Sequence, residues 1–251
     1  MKHVDVEVKD SVAVISLGRG KVNALNEQVV EELQNHFQVI REDDAIGSVV
    51  LTGKGTKFFS FGFDIPEFLG YSKGSFTRYL TKFTKLCADI FLFPKPVVAA
   101  LNGHTIAGGC MLATACDSRI MVGGKAKISL NEVTFGSSVF AGSVEILRYC
   151  VGSAAAQEIL YSGRMYSAEE ALAIRLVDRV SGLDDLAEEA RGVAQGFCAK
   201  DRFAFASIKR LLRGPVYNEM IQREESSIRE FVEIWYSEST WKNLQGIKIA
   251  S

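Results

Sequence analysis

In the stretch HTIAGGCMLATACD, His104 to Asp117, two adjacent glycines open an otherwise apolar run. A glycine inside a helix costs about 1 kcal/mol relative to alanine, so Gly108 and Gly109 need a reason. At a helix start the first N–H groups lack intrahelical partners, and together with the helix dipole they favour an oxyanion. Glycine leaves those groups open to a ligand, although a tight strand-to-helix turn accounts for the same residues without one. A second segment, LNEVTFG at 130–136, sets Glu132 in a mainly apolar run, where an ionised carboxylate is costly unless partnered. A third, KFFSFGFDIPEF at 57–68, places Gly62 in an aromatic loop and Asp64 where it can cap a following helix. Taken singly, the last two also read as a surface glutamate and a capped hydrophobic loop.

Composition narrows the chemistry. The chain has 251 residues, 47% of them apolar, and a formal net charge of -1. That balance supplies no basic field for nucleic acid or an anionic membrane surface. The helical stretch 26–42 and the two residues after it carry Glu27, Glu31, Glu32, Glu42, Asp43 and Asp44, an acidic face that also argues against RNA. No uncharged apolar run reaches the roughly 18 residues of a membrane span. Five cysteines without close pairing point to reduced thiols and a cytoplasmic location. With three histidines and no CxxC pair, the chain is expected to hold no metal. It also lacks a strand-following GxGxxG, a P-loop and a G-x-S-x-G elbow.

The elements that must position these residues alternate. Strands are expected near 3–9, 12–17 and 47–52, from alternating valines, VAVISL and GSVVLT. Val29, Val30, Leu33, Phe37 and Ile40 recur at helical spacing behind Asn26, an expected N-cap. A helix fits 75–92, FPKP breaks it, and 97–101 reads as a buried strand leading into the glycine pair. SRIMV is a further strand, followed by a loop-like GGKAKISLNEVTFG. Helical patterns then dominate, with serine caps expected at Ser153 and Ser167 and a long amphipathic helix over 216–238. The expected division is a strand–helix core over 1–190 and a helical region over 191–251.

Together and in this order, VNALN at 22–26, FFSFGFDI at 58–65, NGHTIAGGCMLATACDSRI at 102–120, LNEVTFG and SAEEALAIRLVDRV at 167–180 resemble the crotonase, or enoyl-CoA hydratase/isomerase, superfamily. The resemblance implies an α/β fold, a ββα spiral core with a C-terminal helical trimerisation region, working on acyl-CoA thioesters as a homotrimer or a hexamer. Coenzyme A arrives as part of the substrate, and no separate cofactor is expected. The resemblance places the oxyanion-holding amides at Phe61 and Gly108. It places substrate contacts at Val22, Ala24, Phe63, Asp64, Ile65, Gly109 and Met111, and a CoA-phosphate contact at Lys209.

Hydratases of that family carry two catalytic glutamates, and Met111 stands where the first would be. A thioether can neither activate water nor donate a proton. One carboxylate suffices to move a proton from C2 to C4 of a 3-enoyl thioester, so the resemblance is closest to the Δ3,Δ2-enoyl-CoA isomerases. Glu132 is then the sole acid/base, with its pKa raised by burial. Hydration, or another crotonase-type lysis or hydrolysis, is the alternative. Glu67 and Glu145 are the other carboxylates that could enter the site.

Overall fold

The computed structural model describes residues 2–247. The C-terminal Lys248–Ser251 lies outside the described residues. Among the described residues nine strands form two sheets. The strands are β1 (Val4–Lys9), β2 (Val12–Leu17), β3 (Ser48–Gly53), β4 (Phe58–Ser60), β5 (Val97–Leu101), β6 (His104–Ile106), β7 (Ser118–Val122), β8 (Ile128–Ser129) and β9 (Arg179–Ser181). The larger sheet has the order β1-β2-β3-β5-β7-β9 and the smaller one β4-β6-β8. Only β1 and β2 pair antiparallel. The remaining ladders are parallel. From β3 onward each pair of consecutive strands delivers one strand to each sheet before a helical segment returns the chain, which is the ββα spiral expected.

The helices are α1 (Glu27–Glu42), α2 (Ile65–Phe68), α3 (Lys73–Phe91), α4 (Gly108–Ala115), α5 (Ala141–Val151), α6 (Ser153–Ser162), α7 (Ala168–Ala173), α8 (Leu186–Cys198), α9 (Arg202–Trp235) and α10 (Glu238–Gln245). Asn26 caps α1 as expected, its Oδ1 accepting from the Val29 N–H at 3.1 Å. Ser167 caps α7 in a reciprocal capping box with Glu170. Ser153 does not cap: Gly152, at φ 81°, takes that position and Ser153 is already helical.

A parallel sheet needs both faces covered. One face of the larger sheet belongs to the main core. On the other, Leu186, Ala190 and Ala194 of α8 pack over Val12, Val50, Val98 and Ala100. This cover spans residue 190, where the sequence placed a division. The loop-like segment after β7 holds β8 and a 3-10 turn, Glu132–Phe135, which carries the key carboxylate. The last long helix begins earlier than its pattern suggested. α9 starts at Arg202 behind the Asp201 cap and continues through Pro215. Tertiary contacts on both sides of that proline hold it: Lys209 and Arg213 on one, Phe231 and Trp235 on the other. No described helix is long and apolar enough to cross a membrane.

Candidate active site

A cavity of about 230 Å³ opens where the loop after β4, the β6–α4 junction, the 3-10 turn and the C-terminal half of α9 meet. Phe61, Phe63, Ile65, Gly108, Met111 and Glu132, all expected at the site, line it.

The loop after β4 is held by the VNALN segment. Leu25 and Phe63 form a parallel bridge. The Leu25 N–H donates to the Gly62 carbonyl at 2.8 Å, and the Asp64 N–H to the Leu25 carbonyl at 3.0 Å. Asn23, at φ 50°, donates from Nδ2 to the Lys54 and Phe58 carbonyls. Ser60 Oγ donates to the Asn23 carbonyl at 2.8 Å and accepts from the Gly62 N–H at 3.1 Å. Val22 and Ala24 are buried and do not line the cavity; they belong to the strap that fixes its wall.

This pairing corrects the expectation for Phe61. Its N–H donates to the Val22 carbonyl at 3.0 Å and is not free to meet a substrate. The bridge uses the groups on either side of Phe63 and leaves the Phe63 N–H facing away from Leu25. Among the described residues neither the Phe63 nor the Gly108 N–H has a hydrogen-bond partner. Gly62 joins the two: at φ 97°, a Cβ on it would stand 3.1 Å from the Gly108 nitrogen. The loop and the start of α4 therefore pass close to one another, and each carries one open amide.

Ala107, the residue before α4, has φ 50° and ψ -119°. That region is unfavourable for a residue with a Cβ, and such strain persists only where neighbours over-determine it. Here the Ala107 N–H donates to the Ser129 carbonyl at 2.8 Å and its carbonyl accepts from Met111 at 3.0 Å. The strained turn lets α4 begin at Gly108 with its first amide uncovered. A Cβ on Gly108 would fall 3.0 Å from the Phe63 ring.

Glu132 is 5% exposed. Burial pushes its carboxyl up to about 8, and no described residue bonds its Oε2. It is the only titratable side chain among the described residues that line the cavity. Met111, one helical turn into α4, supplies apolar surface to the same space. Among the described residues no group of three or more His, Cys, Asp or Glu side chains could hold a metal ion.

Other expected contacts go elsewhere. Lys209 is 5% exposed. Its Nζ lies 2.7 Å from Asp117 Oδ2, and Arg213 Nη2 lies 3.2 Å from Asp117 Oδ1. Burial draws the Lys209 ammonium down to about 8 against the pull of Asp117. A lysine enclosed this way cannot reach a CoA phosphate, so its role is to tie α9 to the end of α4. Asp64 caps α2 and pairs with Arg19, which also meets Glu67 at 2.9 Å. Glu145 pairs with Arg148 at 3.2 Å and Arg223 at 2.8 Å. Glu67, Glu145, Asp64 and Gly109 do not line the cavity. Periodicity marked Phe231 and Trp235 only as helical and apolar; nothing local shows that α9 folds back to wall the cavity.

Residues 7–247 match the family model described as enoyl-CoA hydratase/isomerase. The chain is 35% identical over 201 residues to the mitochondrial enoyl-CoA hydratase of Pongo abelii, covering 80% of this chain and 68% of that protein. It is 28% identical to the mitochondrial enoyl-CoA delta isomerase 1 of Mus musculus, covering 96% and 84%. The human mitochondrial delta3-delta2-enoyl-CoA isomerase has a similar structure, with TM-score 0.93 at 27% identity over 98% of this chain and 96% of that one. The enoyl-CoA hydratase of Bacillus halodurans gives TM-score 0.90 at 25% identity over 98% and 100%.

Proposed function

The chain belongs to the enoyl-CoA hydratase/isomerase family, and from that premise we propose that it is an isomerase moving the double bond of a 3-enoyl-CoA to the 2-position. The observation that carries this reading is the single carboxylate of the cavity: Glu132 faces apolar side chains and Met111, with no second acid among the described lining residues. Hydration needs groups to activate water and to protonate the carbanion. A proton shift needs one group used twice.

Ionised Glu132 removes a proton from C2. The C2–H electrons delocalise over C2 to C4 and the thioester, giving a dienolate with charge on its oxygen. The C3–C4 double bond becomes C2–C3 as Glu132 returns the same proton to C4. The Phe63 and Gly108 amides are assigned to the dienolate oxygen; losing one such donor typically costs about 3–4 kcal/mol of barrier. An apolar cavity excludes water that would exchange the proton or add to the product. Coenzyme A takes part only as the thioester of the substrate.

The test is a product assay. A 3-enoyl-CoA should yield the 2-enoyl isomer, and a 2-enoyl-CoA should yield little 3-hydroxyacyl-CoA. Substantial hydration would overturn the reading.

We also assign a homotrimer or hexamer as the working state. In support, α9 exposes Phe203, Ile208, Leu211 and Leu212 to solvent in the single chain. Sedimentation giving a monomer would refute this.

A further inference from the structure

The residues around the cavity differ in exposure, and the difference gives it a direction. Phe61, Ala107, Asn131, Phe135 and Ile247 are half-buried and mark the side open to solvent. Ile65, Met111, Phe231 and Trp235 are buried and mark the inner side. Coenzyme A is far larger than about 230 Å³, so it stays on the open side and an acyl tail runs inward. The inner wall supplied by α9 is backed by aromatic rings. The Trp235 ring centroid lies 4.7 Å from that of Phe76, and the Phe231 centroid 4.5 Å from that of Phe140. Phe76 and Phe140 are themselves fully buried. Rings packed at crystal-like density leave no slack for a tail to push into.

We infer that this cavity takes acyl chains of up to about eight carbons, and that Phe231 and Trp235 set the limit. The limit rests on reading the cavity as the acyl pocket of the proposed function, and it adds the substrate's length to that reading. An apolar cavity of about 150 Å³ holds the six carbons of benzene, or about 25 Å³ per carbon. On that scale a cavity of about 230 Å³ holds about nine non-hydrogen atoms. The thioester carbonyl takes two of them, C1 and its oxygen, which leaves room for about seven carbons beyond C1. A longer tail would have to displace an α9 ring against the rings behind it, or fold back toward the open side and leave its end in water. Overpacking of the first kind is destabilising, and the second buries no further surface.

The experiment is titration calorimetry with saturated acyl-CoA thioesters, butanoyl to dodecanoyl in two-carbon steps, with free coenzyme A as the baseline. Each buried methylene should tighten binding by about fourfold up to octanoyl-CoA. Decanoyl- and dodecanoyl-CoA should gain less than about twofold over octanoyl-CoA. In Trp235→Leu and, separately, in Phe231→Leu, the break should move out by about two carbons, with thermal melts confirming that each variant is folded. Trp235→Phe, a milder truncation, should move it in the same direction and keeps the comparison readable if leucine unfolds the chain. Affinity that climbs unbroken to dodecanoyl-CoA in the wild type would overturn the proposal, as would a break that stays at octanoyl-CoA in every folded variant. If no acyl-CoA bound more tightly than coenzyme A, the acyl-pocket reading would fall and the length limit with it. Because these ligands have no double bond to move or hydrate, a failed isomerase assay would leave the chain-length series readable.

Discussion

Gly109 lies against the backbone of Ser60, where a Cβ would come within 2.6 Å of the carbonyl oxygen. α4 and β4 pack this closely only because no side chain stands between them. Gly109→Ala should destabilise the fold by about 1–3 kcal/mol, read as a lower denaturant midpoint, and should slow turnover by moving the Gly108 amide. Gly192 in α8 has nothing within 4 Å of an added Cβ. Gly192→Ala should instead be neutral or stabilise by up to about 1 kcal/mol.

Glu132→Gln keeps the shape of the side chain and removes its acid/base function. Turnover of a 3-enoyl-CoA should fall by about two to four orders of magnitude, while the affinity for a saturated acyl-CoA is retained. Retained turnover would take Glu132 out of the mechanism.

The base form of Glu132 predominates only above a carboxyl pKa raised by burial to about 8. The kcat/KM of the free enzyme should therefore climb with pH and level off above about 8. The same shift affects stability. The folded state holds this proton more tightly than the unfolded chain, so its contribution is full below the ordinary 4.5 and is lost as pH rises toward about 8. Relative to wild type, Glu132→Gln should gain stability across that window, by at most on the order of 5 kcal/mol. Thermal melts of both proteins at several pH values measure it.

Asp117 holds two buried cations, Lys209 and Arg213. Arg213 also donates to the Phe91 carbonyl at 3.0 Å and the Cys116 carbonyl at 3.3 Å. Asp117→Ala leaves both charges without their carboxylate and should cost about 3–5 kcal/mol. Lys209→Met should lower Tm less and leave the KM for acyl-CoA unchanged. A selective rise in KM without loss of stability would restore Lys209 to the CoA site.

Met111 and Glu132 share the cavity. Met111→Glu adds a second carboxylate, so the two acids share protons at neutral pH and can hold a water between them. Isomerisation should drop by about tenfold or more, in line with a displaced general base, and 3-hydroxyacyl-CoA should appear from a 2-enoyl-CoA.

The amino-acid order alone carried the alternating elements of the core, and the family resemblance their spiral arrangement. Alternating valines marked β1, the Asn26 cap and apolar spacing marked α1, and FPKP separated α3 from β5. The glycine pair and the isolated carboxylate of LNE pointed to the same chemistry their surroundings support. These signals survive without coordinates because they are local: periodicity, caps and breakers act within a few residues.

Which atoms face the substrate was decided only in three dimensions. The Phe61 N–H is occupied because VNALN lies beside it, and Phe63 is open for the same reason; no spacing within FSFGFD distinguishes them. The resemblance set Lys209 against the CoA phosphates, yet Asp117, 92 residues away in sequence, encloses it. Trp235 and Ser137 became cavity walls only when α9 folded back. A side chain's type limits what it can do, but its partners, and hence its free hydrogen bonds and its pKa, come from residues distant in the chain that packing alone brings within reach.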